Sequence, residues 1–282
     1  MVGPASPFDD PVPRGLRIVV ATLKIVVAVQ CWGVAAAILH GHRDFHMPEF
    51  LKVAGNFSPI WSKQFLHNIS YGLLAVGGLT LFRPVWPLLL LLTGWFATLA
   101  AATFAKENDW PQVAIESARV FAPLALLLLE FWPPASKFSL GRSMAAVFFL
   151  RTTSAAAFLG FGVKLLLQAR SGGPLVALTV NSLRQIVDRK LDIESGAQVT
   201  AILGGLTLAL GIGLMVLRSR FFAFLMMVVG LFLAALPILG GKPSNYPDTL
   251  SHIALAGVPF SLFLHWLLAV KEQPPILVPD RR

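Results

Sequence analysis

Apolar residues in this chain run in long blocks, and polar residues are confined to the gaps between them. A helix needs about 20 predominantly apolar residues to cross a bilayer. Segments near that length occur at Ile18–Leu39, Leu66–Phe82, Val85–Phe104, Val113–Trp132, Met144–Leu167, Val199–Leu217, Phe221–Leu239 and Ile253–Val270. Within hydrocarbon the backbone must satisfy its own hydrogen bonds, which a helix does segment by segment. The pattern therefore predicts an all-α fold: a polytopic transmembrane helical bundle of about eight spans.

The gaps repeat as well. Each half reads helix, long connection, helix, tight turn, helix, short connection, helix. The long connections are His40–Phe65 and Gln168–Gln198, and the tight turns are FRPVW and LRSRF. We expect two tandem four-helix repeats, at 16–134 and 143–270, flanked by tails at 1–15 and 271–282. Four helices per half give both halves the same orientation, a parallel duplication. Lys24 and Gly33 align with Arg151 and Gly160. The string GGLTL occurs at Gly77–Leu81 and at Gly204–Leu208, but in a register that conflicts with the alignment of the tight turns, so the topological repeat is the better guide. The second long connection holds Leu175, Leu178, Val180, Leu183, Ile186 and Val187 at near-helical spacing, a short amphipathic helix at the interface or capping the bundle. The first, broken by Pro48, Gly55 and Pro59, reads as less regular.

Composition agrees with a membrane protein. Of 282 residues 56% are hydrophobic and only 13% charged, and the mean hydropathy is +0.71. A soluble domain carries about 25% charged residues. The net charge of +9 does not point to nucleic acid, because the Lys and Arg sit at segment ends rather than along one stripe. It reads instead as topogenic charge and attraction to anionic lipid. Arg83, Lys137, Arg142, Arg218, Arg220 and Lys271 fall on one side, against Lys106 and Lys242 on the short connections of the other. That bias predicts a cell (inner) membrane protein with both termini cytoplasmic and an uncleaved first span. Cys31 is the single cysteine, so no intrachain disulfide or CxxC chemistry exists, and it reads as a packing residue.

Candidate chemistry rests on ionisable residues inside the spans, each costing about 2.5–3.5 kcal/mol at mid-helix. Arg151 lies in the fifth span and can pair with Glu130 at the end of the fourth. The functional alternative is a contact to an anion, a headgroup or a quinone carbonyl; we favour the structural pair. Lys24 is the matching position in the first half and can snorkel to the surface. Glu116 and Arg119 share a helix face and read as a solvated pair near the outer surface. His40, His42, His46, His67 and His252 gather at one end of the bundle, where imidazoles from separate helices can hold a metal or haem. Their spacing matches no metal motif, and ordinary interfacial histidines are the simpler reading. Phosphate-binding glycine loops, nucleophile elbows and Asp-rich prenyl-transfer pairs are missing from the sequence.

The stretch RTTSAAAFLGFGVKLLLQ, Arg151–Gln168, resembles the first helix of the DoxX-like membrane family. Gly204–Gly230, a Gly-rich helix, a tight basic turn and another apolar helix, is similar to that family's second and third. The resemblance is carried by Arg151–Val270 and extends more thinly over Ile18–Trp132. It implies a four-helix unit, here fused in two copies. The family's second helix often has a Glu just before the Gly pair. Ala201, Ile202 and Leu203 stand there, so no role resting on that acid is carried over. Some members are subunits linked to quinone reduction. The resemblance thus implies an accessory, non-catalytic membrane subunit of a quinone-linked redox complex or another membrane complex, with membrane lipids and partner subunits as its contacts. The cofactor is left open, with quinone and haem both compatible with the sequence. The alternative is a transporter or lipid-handling protein with a polar cavity between its halves.

Overall fold

A computed structural model describes residues 14–41, 47–56, 58–129, 140–187 and 193–269. All regular structure among them is helical: α1 Arg14–Leu39, α2 Met47–Gly55, α3 Pro59–Phe82, α4 Trp86–Glu107, α5 Trp110–Leu129, α6 Leu140–Ser171, α7 Pro174–Val187, α8 Ile193–Val216, α9 Arg220–Leu239, α10 Tyr246–Ser251 and α11 Ala254–Ala269. Seven of these are long and apolar enough to cross a membrane. The pair Pro243–Ser251 and Ala254–Leu268, bent by 46°, passes the same test together and, counted as one broken span, makes eight. The chain is a multi-pass helical membrane protein. Glu130, His42, His46, residues 1–13 of the first expected tail and all of the second lie outside the described residues, and Arg14 and Gly15, expected in that first tail, belong to α1.

The helix boundaries follow local chemistry. Pro59, which reads as a breaker in the sequence, instead starts α3: it occupies the first turn, where its missing N–H is no loss, and Ser58 caps that turn through its hydroxyl. The first long connection likewise contains a helix, α2, because its Pro48 and Gly55 stand at the two ends of the element rather than inside it. The eighth span, expected to be continuous, breaks at His252–Ile253, where the backbone bonds tighten to i−3. Its counterpart α5 runs unbroken, so the break is not matched in the other half.

Packing repeats along with topology. In each half the first span packs on the second and fourth, and the third on the fourth: α1 on α3 and α5 with α4 on α5, then α6 on α8 and α11 with α9 on α11. The short helices repeat too, since α2 packs on α3 and α4 as α7 does on α8 and α9. The halves join reciprocally, α5 against α6 and α1 against α11. The first and fourth spans of both halves thus form a central bundle with the other four outside it. Burial reflects this: 50–56% of the spanning windows of α1, α5 and α6 is buried, against 28–33% for α3, α4, α8 and α9. The outer helices turn their remaining apolar surface to lipid.

Glycines set the register of both interfaces. A Cβ at Gly33 would lie 2.3 Å from the Ser251 nitrogen, and one at Gly160 would lie 2.5 Å from the Pro111 oxygen. These aligned glycines therefore seat each first span against the start of the other half's fourth. Gly77 faces the Ala28 carbonyl oxygen at 3.1 Å from its would-be Cβ, and Gly211 faces that of Ala155 at the same distance. The structural partner of Gly77 is then Gly211, two helical turns beyond Gly204. That register lies one residue from the tight-turn alignment and seven from the GGLTL match, which is coincidental. Gly204 does pack closely on α6, whereas Gly78 and Gly205 face open space.

Candidate functional site

Along α5, Gln112, Glu116 and Arg119 recur at spacings of four and three and form one polar stripe. In water that stripe would be a solvated face. Here it meets α6 and the break between α10 and α11, and Glu116 and Arg119 are only 6% and 8% exposed. The expectation of a solvated pair is thus overturned: the pair lies inside the contact between the halves.

Burial requires partners, since an uncompensated charge in a low-dielectric interior is very costly. The site supplies them as a continuous chain. Asp109 Oδ2 is 2.8 Å from Lys164 Nζ, which also donates to Gln112 Oε1 at 2.8 Å. The Gln112 amide nitrogen donates to Glu116 Oε1 at 2.9 Å, and Glu116 Oε2 is 2.6 Å from Arg119 Nη1. Arg119 then crosses to the second half, its Nε donating to the Ser251 carbonyl at 3.1 Å and its Nη2 to the Ser251 hydroxyl at 3.2 Å. That hydroxyl donates to the Asp248 carbonyl at 2.8 Å. His252 places Nδ1 2.8 Å from the same carbonyl oxygen, so the Nδ1–H tautomer donates there and Nε2 faces Glu116 Oε1 at 3.9 Å. Signs alternate along the row Asp109, Lys164, Glu116, Arg119, so these four are neutral in sum.

Beside this network lies a pocket of about 470 Å³, within the range of small-molecule sites. Its polar lining is Gln112, Lys164, Gln168, Asn245, Asp248 and His252, and Phe161, Leu175, Leu178, Leu233 and Leu236 supply much of the apolar remainder. The amphipathic α7 caps this half and contributes Leu175 and Leu178, with Val176 and Val180 buried beneath.

The residues singled out in the sequence fall into separate places. Arg151 does not face this pocket. Its guanidinium donates from Nε to the Leu214 carbonyl at 2.9 Å and from Nη2 to the Met215 carbonyl. These are last-turn carbonyls of α8, which lack intrahelical donors, and a cation is favourable at that end of the helix dipole. Arg151→Met should therefore cost about 2 kcal/mol, seen as a lower melting temperature of the detergent-solubilised protein, with Arg151→Lys recovering part of the loss; an unchanged transition would contradict the capping role. Lys24 lines a cavity of about 550 Å³ with Arg17 and Leu81, near the end of α3, as Arg151 lies near the end of α8. Among the histidines, His40 and His67 line a different cavity from His252. No three metal-ligating side chains converge among the described residues.

A proline pattern in the sequence marks the fourth spans of both halves. Trp110-Pro111 with Pro123 and Tyr246-Pro247 with Pro259 share a single offset, which also pairs Glu116 with His252 and Ile115 with Ser251. The two halves therefore present equivalent positions, Glu116 and His252, to one another across the joint. No known family model matches the chain, nor does any curated protein or solved structure.

Proposed function

We propose that this membrane protein is a DoxX-like pair of fused four-helix units that holds an amphiphilic small molecule, of quinone or lipid type, in the pocket between its halves. The pocket itself carries this reading. Its polar lining joins a hydrogen-bonded network to which both halves contribute, and the rest of its lining is apolar. A carbonyl or anionic head suits Lys164 Nζ and the Gln112 and Gln168 amides, and an apolar ring or chain suits Leu175, Leu178 and Leu233. With both termini cytoplasmic, as the charge bias favours, this end faces outward from the cell. An accessory subunit of a quinone-linked complex would use the same pocket, so the two roles differ in what surrounds the protein rather than in the site.

The test is to purify the full chain in mild detergent, extract it with organic solvent, and identify bound amphiphiles by mass spectrometry, with a visible spectrum and a census of co-purifying proteins. Wild-type protein should retain one class of amphiphile, Lys164→Met should retain several-fold less, and Leu178→Trp, which fills the pocket, should lose it. Equal retention in the Trp variant would sink the proposal. Stable redox partners in the census would favour the subunit role.

A further inference from the structure

We infer that the first half carries a second, separate binding site, which takes the phosphate group of an anionic lipid. The site is a cavity of about 750 Å³ where the end of α1, α2 and the start of α3 meet, and among the described residues it shares no lining residue with the pocket between the halves.

Four nitrogen-bearing side chains line it, His40, Lys52, Lys63 and His67, and no acidic residue does among the described residues. Neither Lys52 nor Lys63 has a carboxylate partner among the described residues. His40 donates from Nδ1 to the Ala36 carbonyl at 2.8 Å, which fixes the ring. The cavity also receives the first turn of the 24-residue α3, where the aligned peptide dipoles leave partial positive charge. The second, independent observation is Ser62. It lines the cavity, is 1% exposed, and its Oγ is buried with no hydrogen-bond partner among the described residues. A helical serine ordinarily bonds back to a carbonyl of the preceding turn; Ser70 and Thr80 of the same helix do so. An unmet buried hydroxyl costs about 1–3 kcal/mol, and a phosphate oxygen would meet it.

The surroundings select a lipid over free phosphate. Ile38, Leu39 and Leu66 give the cavity an apolar flank. Ile60, Trp61 and Phe65, at 78%, 66% and 40% exposure, stand on the adjacent turns of α3, as interfacial side chains do at headgroup depth.

The experiment is native mass spectrometry of the full chain, released from mild detergent with phosphatidylglycerol or phosphatidylcholine of matched acyl chains. Phosphatidylglycerol should be retained in preference. Lys52→Gln/Lys63→Gln should weaken that retention on the order of thirtyfold, taking each surface lysine at its usual electrostatic worth, and Ser62→Ala should weaken it several-fold. Lys106→Gln/Lys242→Gln, on the short connections, should leave it unchanged. Tens-of-millimolar inorganic phosphate should leave the lipid bound. Equal retention of the two lipids, or an unaffected Lys52→Gln/Lys63→Gln variant, would overturn the site. Inorganic phosphate bound in the lipid's place would overturn the lipid assignment.

Discussion

Glu116→Ala should destabilise the protein by about 3–5 kcal/mol, and Arg119→Ala by a similar amount, because each leaves its partner charged, buried and unpaired. The double replacement Glu116→Leu/Arg119→Met should cost much less than the sum of the single changes, since it removes both charges and fills their volume. The Ser251 carbonyl and hydroxyl would still lose their donor, so recovery is incomplete. Thermal unfolding of the detergent-solubilised variants, analysed as a double-mutant cycle, gives the coupling. Additive losses below about 1 kcal/mol would mean that the pair is as weakly coupled as an exposed one, and the central network would lose its structural meaning.

Gly33→Leu and Gly160→Leu should each prevent the halves from seating. The first atoms a new side chain meets are backbone: the Ser251 nitrogen and Leu250 carbonyl carbon for Gly33, and the Pro111 oxygen for Gly160. Backbone cannot move aside as a flexible side chain can, so the loss should exceed the ~1–3 kcal/mol usual for overpacking and appear as aggregation or loss of the monodisperse peak in size-exclusion chromatography. Gly78→Leu and Gly205→Leu are the matched controls. Nothing lies within 4 Å of a Cβ at either position, and their effect should stay within about 0.5 kcal/mol. Because Gly33 and Gly160 occupy equivalent places, the two variants should fail alike. A tolerated leucine at either would break the reciprocal joint between the halves.

The candidate site was less legible than the fold. Glu116 and Arg119 are visible as an i,i+3 pair, but their spacing is the same whether they face water or another helix. The burial that changes their meaning comes from Ser251 and His252, more than 130 positions along the chain. Arg151 was legible as a costly intramembrane cation, yet the carbonyls it meets belong to the backbone of α8, and a backbone acceptor leaves no mark in a side-chain pattern. The repeated aromatic-Pro and Pro pairs of the fourth spans were present throughout, but a string match between Gly-rich segments competed with them, and only interhelical distances separate the two.

By itself the sequence determined the class of fold, the approximate number and limits of the spans, and the repeated order of helices and connections. Those features are settled locally, because hydrocarbon obliges each apolar segment to close its own hydrogen bonds as a helix wherever it lies in the bundle. Tertiary structure alone decided which helices form the centre, which glycines touch backbone, and which polar groups share a pocket. Apolar helices attract one another with little discrimination in lipid, so partner choice rests on close packing and on a few interhelical hydrogen bonds. Those depend on the relative rotation and register of distant segments, as at Gly33 against Ser251 and at Arg119 against the same residue.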